Sequence, residues 1–232
     1  QGFFNNLFDI DSRDNYAVTG LNKELNSLYI YNYFIKNKKN NLVITNSLYE
    51  ANDVYNRLLN YTNKVLFFPM DDFITSEVTD ISPEFVIDRL ITLNKLLGSG
   101  KYIVVTNLMG ILRYLPNTKL YKNKIIDINK NMDIDRDDFI NKLFDLGYEK
   151  KPVVSRTGEM AIRGYVIDIF PIEFDNPIRI EFWGDTIDSI KYFDLDDQIS
   201  NTSVDSVKIY PYTEFLIDGK IGDNIIRKQK YV

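Results

Sequence analysis

Residues 158–193 read GEMAIRGYVIDIFPIEFDNPIRIEFWGDTIDSIKYF, and the rest of the chain is interpreted around them. β-branched and aromatic residues dominate Met160 to Phe170, Ile178 to Trp183 and Thr186 to Phe193, which predicts a three-strand β-meander. Asp175-Asn176-Pro177 supplies turn chemistry in the first gap. Only Gly184 and Asp185 separate the second and third strands. Glycine in the first place of a two-residue connection suits a type II′ hairpin.

That turn predicts a register. With Trp183 opposite Thr186, Glu181 falls opposite Asp188 and Arg179 opposite Ile190. Ile178, Ile180, Phe182 and Ile187 then share an apolar face, while Arg179, Glu181, Trp183, Thr186, Asp188 and Ile190 share the other. Two readings of the second face stand at this point. A large aromatic beside an arginine and carboxylates has the composition of a protein-binding hot spot. Alternatively, Trp183 packs beneath a neighbouring helix and Arg179 satisfies Glu181 and Asp188.

Composition narrows the chemistry. The 232 residues are 44% hydrophobic and 14% aromatic, enough for two packed cores, and they contain no cysteine and no histidine. Disulfides, thiolate nucleophiles, the usual zinc sites and imidazole acid–base catalysis are thereby excluded. A net charge of −5 has the wrong sign for a domain whose main task is gripping phosphate backbones. The basic clusters at Lys36 to Lys39, Lys119 to Lys130 and Arg227 to Lys230 are short and read as solvated surface. No apolar run is long enough to span a membrane, and the start QGFFNNLFDI has no signal-peptide pattern. A cytoplasmic protein is expected.

Tyr16 to Thr19, Gly20 and the helical stretch Lys23 to Ile35 follow the order of a phosphate-binding loop. Against G-x-x-x-x-G-K-[ST], the segment Ala17-Val18-Thr19-Gly20-Leu21-Asn22-Lys23-Glu24 keeps the lysine but has Ala17 and Asn22 at the outer glycines. Glu24 replaces the hydroxyl that would hold magnesium and would repel a triphosphate. Gly20 therefore reads as a tight strand-to-helix turn, and no cofactor or metal is expected. Further apolar strands are predicted at Asn41 to Thr45, Val65 to Phe68 and Ile103 to Thr106. Helices are predicted at Tyr49 to Asn60, from Ser82-Pro83-Glu84 to about Leu97, and at Leu108 to Tyr114. Apolar strands alternating with helices indicate a parallel sheet, so residues 1–117 are expected to form an α/β domain. A strand at Lys124 to Ile128, a helix at Asp133 to Leu146, the meander and a last strand at Val204 to Tyr210 make residues 118–210 an α+β domain. Residues 211–232 are too few for a third.

The order of these signals resembles the amino-terminal part of bacterial transcription-repair coupling factor (Mfd), the portion similar to the excision-repair protein UvrB. The resemblance rests on residues 158–171, on residues 177–185 and on Ser189 to Asp194. Phe68-Pro69, Ser82-Pro83-Glu84, Arg89-Leu90 and Leu115-Pro116 support it. Between Pro69 and Ser82 there is no room for the aromatic β-hairpin of UvrB-like proteins, and the phosphate loop is degraded; both departures favour Mfd.

The resemblance implies a degenerate, RecA-like first domain that binds no nucleotide, similar to UvrB domain 1a. It further implies a second domain that binds UvrA by imitating UvrB and recruits it to stalled transcription complexes. Carried onto this chain, the partner-binding residues are Arg163, Arg179 and Trp183, with Glu181 a weaker candidate. The family often has phenylalanine at the position of Trp183.

The parts of the family's full-length protein that bind RNA polymerase and translocate on DNA with ATP resemble nothing in this chain. The chain thus reads as a non-catalytic adaptor fragment, and residues 211–232 as a truncated return toward the first domain. The alternatives are a UvrB-like ATP-dependent damage-binding ATPase and a module that masks or braces the rest of its own protein. The bracing alternative rests on the acidic loops Asp71 to Asp80 and Asp194 to Asp197.

Overall fold

The computed structural model describes residues 17–72, 82–112 and 115–216. The chain divides into two units, Gln1–Tyr114 and Leu115–Val232. In the first, side-chain caps start the helices: Asn22 caps α1 (Lys23–Asn37) and Ser47 caps α2 (Leu48–Leu59), while proline opens α3 (Pro83–Leu96). The strands β1 (Asn41–Thr45), β2 (Val65–Phe68) and β3 (Ile103–Asn107) form a parallel sheet in the order β1-β3-β2. The one-turn helix α4 (Leu108–Ile111) follows.

Alternation divides the sheet's side chains between two faces. Val65, Ile103 and Val105 pack with Phe34 of α1 and with Ala51 and Leu58 of α2. On the other face the α3 residue Arg89, fully buried, lies 3.8 Å over the Phe68 ring and donates to the carbonyls of Pro69 and Gly110. The expected strand before Gly20 is absent over residues 17–19, which are exposed; Tyr16 lies outside the described residues. The expected acidic loop at 71–80 lies outside them from residue 73 on.

The second unit is organised by the quoted stretch, with two changes. The run Met160 to Phe170 is broken into two strands, β6 (Glu159–Arg163) and β7 (Val166–Ile169), by a hairpin at Gly164-Tyr165. Gly164 has φ 57° and Gly184 has φ 61°, so each hairpin places its positive φ on the first turn residue, where glycine adopts it without strain. The meander therefore has four strands, continuing through β8 (Ile178–Trp183) and β9 (Thr186–Phe193).

The second change is in register. Trp183 faces Thr186 as expected, but a bulge opposite Glu181 shifts the pairing to Glu181–Ser189, Ile180–Ile190 and Arg179–Lys191. The extra residue lets Ile187 and Ile190, three apart, both reach the core. Ile190 is 1% exposed and does not belong to the polar face where alternation had put it.

The full sheet runs β10-β9-β8-β7-β6-β5, with β5 (Glu149–Lys150) parallel to β6 and β10 (Ser200–Ser203) at the other edge. One face is covered. Helix α6 (Arg136–Asp145), capped by Asp135, lays Phe139 and Leu143 on Ile167, Ile169, Ile178, Ile180 and Phe182. Each such side chain contributes about 2 kcal/mol by leaving water. A two-stranded ribbon, β4 (Ile126–Asn129) with β11 (Ser206–Ile209), adds Ile128, Val207 and Ile209 to that core. The last predicted strand thus exists but pairs with β4, not with the meander. Helix α5 (Thr118–Lys124), capped by Asn117, precedes the expected strand and occupies lysine-rich sequence for which no helix had been expected. Residues 211–216 stay on this unit, the Tyr212 N–H bonding the Leu146 carbonyl at 2.7 Å. The proposed return segment lies outside the described residues from residue 217 on.

Candidate functional site

The uncovered face of the six-stranded sheet holds the candidate site. Across its middle the register aligns Ala161, Asp168, Arg179 and Lys191 on neighbouring strands. Directly opposed side chains in an antiparallel pair lie closer than residues two apart on one strand, so Arg179 bonds across to Asp168 and not to Glu181 or Asp188.

Arg179 Nε donates to Asp168 Oδ1 at 2.8 Å and Nη2 to Oδ2 at 3.0 Å, a two-pronged pair. Nη1 donates to the Gln198 carbonyl at 3.2 Å, and the guanidinium lies 4.7 Å over the Phe193 ring. The hydrogen bond to Asp168, outweighing burial, holds Arg179 above its ordinary pKa. Arg163, beside the Gly164-Tyr165 hairpin, donates from Nη2 to the same Asp168 Oδ2.

Glu181 accepts from Lys191 Nζ at 2.8 Å and from the Ser189 hydroxyl, which together hold its carboxyl below the usual range. Trp183 ends the row at 84% exposure, so the reading in which it packs beneath a helix is overturned. The covering helix lies on the opposite face. Tyr165, 65% exposed, sits at the neighbouring hairpin tip, where its carbonyl accepts from the Phe182 N–H. At the other end Val154, Ala161, Phe170 and Phe193 form a small apolar cluster.

Arg179, Glu181 and Trp183 therefore occupy one face, as alternation predicts, and the register adds Arg163 to it. Asp168 and Lys191 are further members that had not been singled out, and Tyr165 lies at the adjacent hairpin tip. Tyr165 had a usable signal, since Arg163-Gly164-Tyr165-Val166 has the same glycine-first two-residue gap as the later hairpin. Asp168 had none until the register was known.

The degraded phosphate loop is elsewhere, in the first unit. Gly20 turns with φ 81°, and Ala17 lies exposed in non-regular chain. Asn22 accepts from the Leu25 N–H at 2.9 Å, turning its side chain onto the helix terminus an anion would need. Lys23 Nζ pairs with Asp53 Oδ2 at 3.2 Å, while Arg57 pairs with Asp53 Oδ1 at 3.0 Å and with Glu24. Glu24 and Asp53 sit below their ordinary pKa values: Glu24 through a backbone hydrogen bond and then Arg57, Asp53 through Lys23 and then Arg57. Among the described residues no group of three or more histidine, cysteine, aspartate or glutamate side chains is placed to hold a metal, and no helix is long and apolar enough to cross a membrane.

Comparison with known proteins bears on this face. Residues 126–215 match the UvrB interaction domain, which takes in β4 through β11 and every residue of the candidate site. Over 92% of its length the chain is 34% identical to a transcription-repair-coupling factor of Staphylococcus haemolyticus. Over 98% it is 32% identical to those of Staphylococcus epidermidis and Staphylococcus aureus. The chain spans 18–20% of the length of these curated relatives.

Proposed function

Because this chain belongs to the transcription-repair-coupling factor family, as its UvrB-homology part, we propose that its second unit is a non-catalytic adaptor. It binds UvrA through the uncovered face of the six-stranded sheet and so recruits nucleotide excision repair to stalled transcription complexes, in a cytoplasmic setting. The observation that carries this reading is Trp183, 84% exposed at the end of a row of fixed charges on a sheet face that no helix of the described residues covers. A well-ordered aromatic next to arginine is the usual anchor of a protein interface. Residues 118–210 are the docking domain in this reading. Residues 1–117 are a RecA-like domain, similar to UvrB domain 1a, that has lost its nucleotide.

Trp183 also supplies the test, being the only tryptophan in the chain. In the free protein iodide is expected to quench its fluorescence strongly, because the indole is exposed. Saturating UvrA is expected to shift the emission to shorter wavelength and to suppress quenching. Binding of UvrA with quenching unchanged would move the interface off this face, and absence of binding would end the adaptor reading.

A second role, bracing against further parts of the full-length protein, is favoured by Leu42 and Ile44 of β1, which are 58% and 49% exposed on one face of a parallel sheet. Such sheets are ordinarily covered on both faces. The remaining chain added in trans is expected to associate with this one. The ATPase alternative is disfavoured by the ion pairs that engage Lys23.

A further inference from the structure

Two arginines converge on Asp168, and they are not equivalent. Asp168 is 1% exposed, so its charge depends on what the protein supplies. Arg179 supplies most of it, with two nitrogens on the carboxylate, a third on the Gln198 carbonyl and Phe193 beneath; its side chain is only 17% exposed. Arg163 contributes one nitrogen, and its side chain is 46% exposed. Glu181 and Lys191 neutralise each other beside them. One carboxylate against two guanidiniums leaves a single positive charge in surplus, carried on the side facing solvent by Arg163.

We infer that Asp168 is a positioning residue for partner binding: it fixes Arg163 as the presented cation, and Arg179 holds Asp168 in place and makes little contact with the partner itself. A free arginine would lose its rotamer freedom on binding, whereas this one has lost it on folding. The fixed guanidinium edge and the exposed indole, on one sheet face, fit a partner surface that offers both a carboxylate and an apolar recess. The inference rests on the adaptor reading and names the residues that perform it.

The test is a double-mutant cycle on UvrA affinity with Arg163→Ala and Asp168→Asn, below the melting temperature of every variant, with circular dichroism confirming the fold. Asp168→Asn is expected to weaken binding about tenfold and Arg163→Ala about thirtyfold, while the double variant binds no more weakly than Arg163→Ala alone. Wild-type affinity for Asp168→Asn, or losses that multiply in the double variant, would overturn the positioning role and leave the adaptor reading standing. A merely structural role for Asp168 gives the multiplying pattern, because its effect would not depend on Arg163. No UvrA binding by the wild-type chain would overturn both. If Asp168→Asn does not fold, nitrogen-15 relaxation of the Arg163 side chain in the free wild-type protein decides. An ordered guanidinium supports the inference, and one that reorients freely overturns it.

Discussion

At the start of α1, Lys23 and Arg57 meet Asp53 and Glu24, two cations against two carboxylates at the surface. On the free face of the six-stranded sheet, Arg163 and Arg179 meet Asp168 alone, and that carboxylate is buried. The residue types are the same and the consequences differ. In the first unit, exposed charges satisfy one another and leave nothing for a ligand, and water screens what they contribute to stability. In the second, a buried anion obliges the protein to hold an arginine in place, and the second arginine is left as a fixed external charge.

The largest effect that separates the two regions is on stability. Arg179→Ala leaves Asp168 buried without its main partner and is expected to cost about 3–5 kcal/mol in urea unfolding. Taken only as a partner-binding residue, Arg179 would on substitution weaken binding without touching the fold. The two-pronged bond to a carboxylate 1% exposed changes that expectation for Arg179, though not for Arg163. Adding Asp168→Asn to Arg179→Ala is expected to recover part of the loss, because it removes the stranded charge. An Arg179→Ala protein as stable as wild type would break the distinction between the regions.

Next in size are the effects on partner affinity. Arg163→Ala and Trp183→Ala are each expected to weaken UvrA binding by about 2 kcal/mol in a titration, with unfolding free energies within about 0.5 kcal/mol of wild type. Tyr165→Ala, at the adjacent hairpin tip, is expected to have a smaller effect of about 1 kcal/mol or less. A loss of affinity from Glu24→Ala or Asp53→Ala matching that of Arg163→Ala would place the interface in the first unit.

How far these contrasts could be read beforehand depended on whether the signal was local. The Gly184-Asp185 turn, the helix start at Ser82-Pro83-Glu84 and the apolar runs of the parallel sheet are local, and the turn and most elements were placed from such signals. Helix α5 escaped because only Tyr121 of its seven residues is buried, so it shows no apolar periodicity. The bulge left a trace that alternation overrode: Ile187 and Ile190 are three apart, a spacing a regular strand cannot bury on one side. The pairing of Asp168 with Arg179 spans eleven residues and two strands, and only the register creates it.

Acid titration sharpens the comparison further. Burial alone would raise the Glu159 carboxyl, but hydrogen bonds from the Ser155 N–H and hydroxyl and from Arg156 outweigh it and leave the group below its ordinary value of 4.5. A depressed carboxylate stabilises the fold above its unfolded pKa, and that contribution disappears as pH falls through the folded one. Stability is therefore expected to fall on acidification below about pH 4.5, and Glu159→Gln should flatten that slope. Glu24 and Asp53 are depressed as well, but Glu24 is exposed and Asp53 is only partly buried at the surface. Their share of the slope is expected to vanish at 1 M salt, where the Debye length is about 3 Å, while the Glu159 share persists. Equal salt sensitivity of the slopes in Glu159→Gln and Asp53→Asn would contradict the contrast.

The smallest expected effect is a gain that does not occur. Asp53→Asn with Glu24→Ser frees Lys23 from its ion pair and restores a hydroxyl where a phosphate loop would place one. If those carboxylates were all that kept nucleotide out, the double variant would bind ATP with magnesium. Two features of the backbone stand against it. Asn22 continues to occupy the first turn of α1 by accepting from Leu25, and residues 17–19 form no strand to hold a loop over the helix terminus. A phosphate cradle needs several N–H groups aimed at one point, and a single lysine is a point charge without that cradle. No saturable binding is therefore expected at millimolar ATP, and the thermal midpoint should stay close to that of wild type because exposed pairs contribute little. Saturable, magnesium-dependent binding by the double variant would mean that charge alone keeps nucleotide off the first unit.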